Sequence, residues 1–157
     1  MSQSAILVLI AALAAHGQHV KAQHAEKSCL AEALYYEARG ESERGKEAVA
    51  EVILHRSRSG AHPKSICGVV YEPHQFSFLE DGSTLKKRDV TAWQDANRLA
   101  SKILHGDVVT SLTRNATFYH SVDVLPEWSA KMVRTAQIGR HIFYQRPRAP
   151  AARFKSA

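Results

Sequence analysis

No apolar run in this chain is long enough to cross a membrane. The longest unbroken one, Ala5 to Ala15, has eleven residues, against the roughly 20 that a spanning helix needs. Met1 to Ser4 contains no Lys or Arg, so only the α-amino group is positive ahead of that run. No internal repeat is visible, which sets aside solenoid architectures. Acid is missing from the last stretch, where Arg146, Arg148, Arg153 and Lys155 stand without an Asp or Glu. No basic helix face or aromatic platform accompanies that charge, which argues against nucleic acid as a partner. Cysteine is scarce: Cys29 and Cys67 are alone, and neither has a histidine at a spacing that marks a cysteine nucleophile.

What is present fits one exported domain. A chain of 157 residues has room for one compact core and not two. The apolar run ends early at His16-Gly17-Gln18-His19, and small-residue exits follow after Ala22 or Ala25. That is the layout of a secretory signal, assigned to residues 1–22 with cleavage after 25 as the variant; the competing reading is a buried N-terminal helix. Removing residues 1–22 leaves 20 basic and 15 acidic residues. The segment 146–157 carries four of those basic groups, so the body is close to neutral. With Pro147, Pro150 and little to bury, this tail is expected to be disordered, with a weak attraction to an anionic envelope. In an exported protein the pair Cys29 and Cys67 is expected to form a disulfide, closing a loop of about 38 residues and stabilising by roughly 3–4 kcal/mol.

Periodicity predicts a helix over about Lys27 to Arg39, with Ser28 as N-cap and Gly40 as stop. A second spans about Glu43 to Arg58, from Ser42 to Ser59-Gly60, with Ala48, Val49, Val52, Ile53 and Arg56 buried. A third spans about Asp89 to Leu104, striped by Trp93, Ala96, Ala100 and Ile103, with Leu99 and Leu104, and ended by His105-Gly106. Ile66 to Tyr71 reads as a strand or a helical turn. Gln75 to Phe78, Ala116 to His120 and His141 to Tyr144 read as strands, with Pro126 to Ile138 helical or irregular between the last two. The sum is an α+β domain of three main helices and a small antiparallel sheet, over residues 27–145.

Within the first helix, Leu30, Ala33, Leu34 and Glu37 fall at i, i+3, i+4 and i+7. Glu37 therefore ends an inward-facing stripe, at the negative end of the helix dipole. Burial and dipole both disfavour its ionised form. A carboxyl group that keeps its proton near neutral pH is what glycosidic cleavage requires. The competing reading is a salt-bridged helix-end glutamate, paired with Arg39 or Arg56.

The stretch CLAEALYYEARGE, then GKEAVAEVILHR, SICGVVYEPHQFSF, ATFYH and AQIGRHIFY resembles the SleB/CwlJ-type cell wall hydrolases, in order, from about Cys29 to Tyr144. The resemblance implies a fold like that of lysozyme and the lytic transglycosylases, acting without a cofactor. It implies a substrate, peptidoglycan glycan strands, cut at the β-1,4 bond between N-acetylmuramic acid and N-acetylglucosamine. The glutamate of the family's EARGE motif maps onto Glu37, as acid and then base. Tyr36, Gln75, Phe76, Ser77, Tyr119, His120 and Trp128 are the candidate substrate contacts, and Arg39 and Glu41 the supports of the glutamate's loop. Phe76 and one of Tyr35 and Tyr36 have packing as their alternative role. Location is expected in the periplasm or cell wall, as a monomer.

A lytic transglycosylase is the leading chemistry. A hydrolytic muramidase remains open and needs a second carboxylate roughly 5–9.5 Å away, with Glu41, Glu72, Glu80 and Asp81 as candidates. An amidase would need a metal; His120, Asp123 and His141 could converge, but their spacing is no zinc signature, so no metal is expected. A non-catalytic glycan-binding module is the reading from another class.

Overall fold

The computed structural model describes residues 3–76, 78, 89–108 and 111–148. Among these, four helices precede three strands: α1 (Gln3–Glu37), α2 (Glu43–Arg58), α3 (Ile66–Val70), α4 (Val90–His105), β1 (Phe118–Ser121), a 3-10 turn (Glu127–Lys131), β2 (Val133–Ile138) and β3 (His141–Gln145). The sheet is antiparallel with β3 in the centre, in the order β1-β3-β2.

Helix α1 corrects the expected start at Lys27. It runs for 35 residues, and Ser28 lies inside it instead of capping it. Nothing between Gln3 and Lys27 stops a helix: the stretch is rich in Ala and Leu, contains no Pro, and has one Gly. The two ends of α1 differ sharply. Leu30, Ala33 and Leu34 are fully buried, whereas Leu7, Val8 and Leu13 are 64–70% exposed. The N-terminal apolar run is thus helical but not buried. The C-terminal end also departs from expectation, because Gly40 takes no left-handed conformation. The helix closes at Glu37, Ala38 N still donates to Leu34 O (3.2 Å), and Glu41 N donates to Ala38 O (3.0 Å) in a tight turn.

The next elements follow their local signals. Ser42 accepts a hydrogen bond from Gly45 N and starts α2, which Gly60, at φ +73°, follows. Asp89 accepts from Ala92 N at the start of α4, and Gly106 ends it in the left-handed conformation that suits glycine. The predicted buried faces of both helices are buried except at Trp93, which is half-buried against the core, and Leu104, which is exposed. The core gathers Leu30, Leu34, Ile53, Val69, Val70, Leu99 and Ile103 between the helices; each such side chain contributes about 1.5–3 kcal/mol by leaving water.

Ile66 to Val70 resolves as a helix, tied to α1 twice. Cys29 and Cys67 form the expected disulfide, across 38 residues of chain. Glu26 Oε2 also accepts from Ile66 N (2.6 Å) and Cys67 N (3.3 Å), occupying two amides that the helix start leaves without internal partners. Just beyond, the Tyr71 hydroxyl donates to Glu32, and that bond pushes its pKa up to about 12.

The strand expected at Gln75 to Phe78 is not in the sheet. Phe76 and Phe78 are buried against the helices, so their alternation marks two core anchors. The third strand is β2, in the segment expected to be helical or irregular. A bulge between Arg134 and Ala136 breaks its period of two, and Val133, Arg134 and Gln137 are exposed. Its pattern therefore reads as polar coil.

Candidate active site

Strand geometry divides the sheet into two faces. Successive side chains point to opposite sides, so Tyr119 and Phe143 share the inner face with His141, while Phe118, His120 and Tyr144 share the outer one. The inner face packs on α2, where Phe143 and Ala116 join Ala48 and Val52. Glu37, half-buried at the end of α1, lies within electrostatic reach of Tyr119 and of Arg56 from α2. One carboxylate, one phenol and one guanidinium thus feel one another's charge near the C-terminal end of α1.

Arg56 is 5% exposed. Its Nε donates to Thr117 O (2.8 Å), and its guanidinium lies 5.8 Å from the centre of the Phe76 ring. Burial lowers its pKa, against the raising influence of Tyr119, Glu72 and Glu37. The Tyr119 pKa is driven well above the ordinary phenol range, first by burial and then by the nearby negative charge of Glu37. Tyr119 therefore stays a neutral hydroxyl, able to donate and to accept.

Glu41 closes the site on the β2–β3 side. Its carboxylate accepts from Arg140 N (3.1 and 3.3 Å) and lies 3.5 Å from His141 Nδ1. Gly139 at the hairpin turn has φ +56°, and a Cβ there would collide with Glu41 Oε2; one on Gly45 would come within 2.8 Å of the same atom. Two glycines thus make the slot that holds this carboxylate. Burial holds the His141 pKa below its usual value, with Glu41 opposing.

The other nominated residues divide. Tyr36 is half-buried and stacks on Phe78 at 4.7 Å, while Tyr35 is the core tyrosine, 2% exposed, its hydroxyl accepting from Asp89 N. Phe76 is 2% exposed under Arg56, so it packs inside and offers no open ring face. Gln75 is half-buried beside it, and Ser77 lies outside the described residues, as do Glu80 and Asp81. Arg39 is exposed, its guanidinium 5.8 Å from the Tyr35 ring.

His120 and Trp128 cluster on the outer face of the sheet. His120 is buried on the outer face, with Nδ1 donating to Ser121 O (2.8 Å) and Nε2 bonded to the Tyr144 hydroxyl (3.0 Å). Trp128 stands edge-on to His120 and Tyr144 and packs on Phe118. The candidate metal triad does not converge either. His120 and His141 lie on opposite faces, and Asp123 is held by Ser121 and Arg140.

Sequence reasoning passed over Glu51 and His55. Both lie on α2, and Glu51 is 1% exposed. The available signal was an acid inside the apolar run Ala48 to Leu54, since a buried charge requires partners. Two cavities, of about 590 and 280 Å3, lie away from Glu37: one between α1 and the end of α4, the other between α2 and α4.

Residues 40–144 match the family model described as Cell Wall Hydrolase. The chain belongs to the cell wall hydrolase family. The matched span begins just after Glu37. The spore cortex-lytic enzymes of Halalkalibacterium halodurans and Oceanobacillus iheyensis are 36% and 34% identical over 73% of this chain. Those alignments cover 33% and 39% of the relatives, so the chain spans little more than a third of their length. Among solved structures, the catalytic domain of the germination-specific lytic transglycosylase SleB from Bacillus anthracis superposes with a TM-score of 0.64 at 31% identity, over 76% of this chain and 93% of that domain. The catalytic domain of Bacillus cereus SleB gives 0.60 at 30% identity, over 76% and 89%. The α+β architecture here is therefore that of the SleB catalytic domain.

Proposed function

We propose that this protein degrades peptidoglycan as a lytic transglycosylase, with Glu37 as its single acid and base. The observation that carries the reading is that Glu37, Tyr119 and Arg56 feel one another's charge near the end of α1, in a fold shared with a domain described as a lytic transglycosylase. Protonated Glu37 gives its proton to the bridging oxygen between N-acetylmuramic acid and N-acetylglucosamine, and the bond from the muramic acid C1 to that oxygen breaks. The resulting carboxylate takes the proton of the muramic acid C6 hydroxyl, and O6 bonds to C1 to close a 1,6-anhydro ring. Acid and base are the same group, restored at the end of the cycle. Arg56 would supply a positive charge that favours the carboxylate formed midway, and the neutral Tyr119 hydroxyl would hydrogen-bond the reacting sugar. Tyr36 and Gln75 are the remaining proposed substrate contacts.

Hydrolysis is the lesser reading. It requires a second carboxylate to direct a water. Glu41, the nearest in sequence, is 7% exposed, bonded to Arg140 N and enclosed by two glycines. That engagement suits a support of the loop better than a base.

Export completes the proposal. Among the described residues no helix is long and apolar enough to cross a membrane. The exposed apolar face of residues 6–13 suits a removable leader, and the Cys29–Cys67 bridge suits an oxidising compartment. The basic segment 146–157 would then face an anionic envelope.

The test is the chemistry of the new chain ends. Purified peptidoglycan is digested with the protein lacking residues 1–22, and the fragments are weighed by mass spectrometry. Anhydro-muramic ends are expected. Reducing ends would replace this reading with hydrolysis, and a protein that binds but releases nothing would make it a glycan-binding module.

A further inference from the structure

Three hydrogen-bonding residues of α2 grip the chain entering β1, each at the same offset of 61 residues. Glu51 Oε2 accepts from Leu112 N (2.8 Å), His55 Nδ1 donates to Ala116 O (3.1 Å), and Arg56 Nε donates to Thr117 O (2.8 Å). Glu51 Oε2 also accepts from Thr113 N at 3.2 Å. A constant offset means that the segment 112–117 runs alongside α2 in the same direction. Helix and extended chain advance at different rates, about 1.5 Å per residue against about 3.3 Å. Over five residues the segment must therefore shed more than half its extended length to stay in step. It does so at Arg114 and Asn115, two consecutive non-glycine residues with φ +53° and +64°. Left-handed arginine is disfavoured by its own Cβ and persists only where its surroundings hold it. Here the holding groups are Glu51 and His55, one on either side of the pair.

The grip is not built for stability alone. Glu51 is 1% exposed, and its second oxygen has no hydrogen-bond partner, with His55 Nε2 3.6 Å away. The Thr113 hydroxyl beside it is likewise buried without one. Groups left so are unfavourable, and folds retain them where position matters. Two residues past Thr117 the strand delivers Tyr119 to the inner face, edge-on to His141 at 5.1 Å and within range of the Glu37 charge.

We infer that Glu51 and His55 are positioning residues, which hold the left-handed pair Arg114–Asn115 and so set Tyr119 against Glu37. The inference rests on the reading of Glu37 as the acid and base. It is tested by a double-mutant cycle on soluble peptidoglycan fragments, below the melting temperature of every variant. Glu51→Ala is expected to lower kcat about tenfold with KM nearly unchanged, and adding it to Tyr119→Phe should cost less than about twofold more, because both act through one hydroxyl. Asn115→Gly, which relieves the left-handed strain, should return at least about a third of the Glu51→Ala loss. Should Glu51→Ala not fold, His55→Leu takes its place, with His55→Gln, which keeps a donor toward Ala116, as the rescue. A kcat at the unsubstituted level in the folded variant, or losses that simply multiply with Tyr119→Phe, would overturn the inference. An active Glu37→Gln protein would instead overturn the reading of Glu37 and leave the coupling between Glu51 and Tyr119 measurable in the same cycle.

Discussion

Tyr119 and His120 are neighbours in sequence and were nominated for the same task, yet the sheet sends them to different places. Tyr119 enters the inner face, 5.1 Å from the His141 ring and within reach of the Glu37 charge. His120 enters the outer face, where Tyr144 and Trp128 pack around it and both ring nitrogens are bonded. The difference follows from the pleat alone: one residue of register exchanges the cleft for the core of a small aromatic cluster. Motif matching cannot make this distinction, because both residues belong to the same ATFYH string. Periodicity can, and it implies that only alternate positions of β1 serve the chemistry.

The largest effect that would sharpen the contrast is on the inner face. Tyr119→Phe keeps the ring and removes only the hydroxyl, and the rate of glycan cleavage is expected to fall roughly 10- to 100-fold, with an unchanged melting temperature. An undiminished rate would break the comparison, since the inner face would then hold no working group on β1.

Next is the slot around Glu41. Gly139→Ala places a methyl group against Glu41 Oε2 and a side chain in a left-handed turn. Denaturant unfolding should show a loss of roughly 2–3 kcal/mol, with a several-fold slower rate because the loop after Glu37 loses its anchor at Arg140. The same substitution at the open Gly40, where a Cβ meets nothing within 4 Å, should change neither.

Smallest in rate is the outer face. Trp128→Ala removes the ring that packs on Phe118, His120 and Tyr144. A stability loss of about 3 kcal/mol is expected, with the rate per folded molecule within about twofold of the unsubstituted value. A drop in affinity for glycan at full stability would instead make Trp128 a substrate platform and erase the distinction between faces.

The sequence made legible what local chemistry controls. The cap Ser42, the glycines after α2 and α4, and most of the apolar stripes of both helices needed only short-range rules, as did the inward face of α1 at Leu30, Ala33 and Leu34. Most of what escaped depended on distant partners. The β2 strand hides behind a bulge and an exposed surface, so its pairing with β3 leaves no clean alternation. Helix α1 extends past its expected start because no residue before Lys27 breaks it, which a search for caps does not reveal. Glu51 looked like one polar position in an apolar run; its role appears only when Leu112 and Thr113 arrive beside it. The slot for Glu41 likewise needs Gly139, 98 residues later in the chain, to be seen as a slot.

The central claim is that one carboxylate, Glu37, does the bond breaking. Its most direct test is Glu37→Gln, which keeps the shape of the side chain and removes only its ability to exchange a proton at this site. The measured quantity is the rate at which soluble fragments leave purified peptidoglycan, in a protein shown to unfold at the same temperature as its parent. Loss of at least about a thousandfold is expected. A Glu37→Gln protein that still releases fragments at a rate close to its parent's would contradict the account.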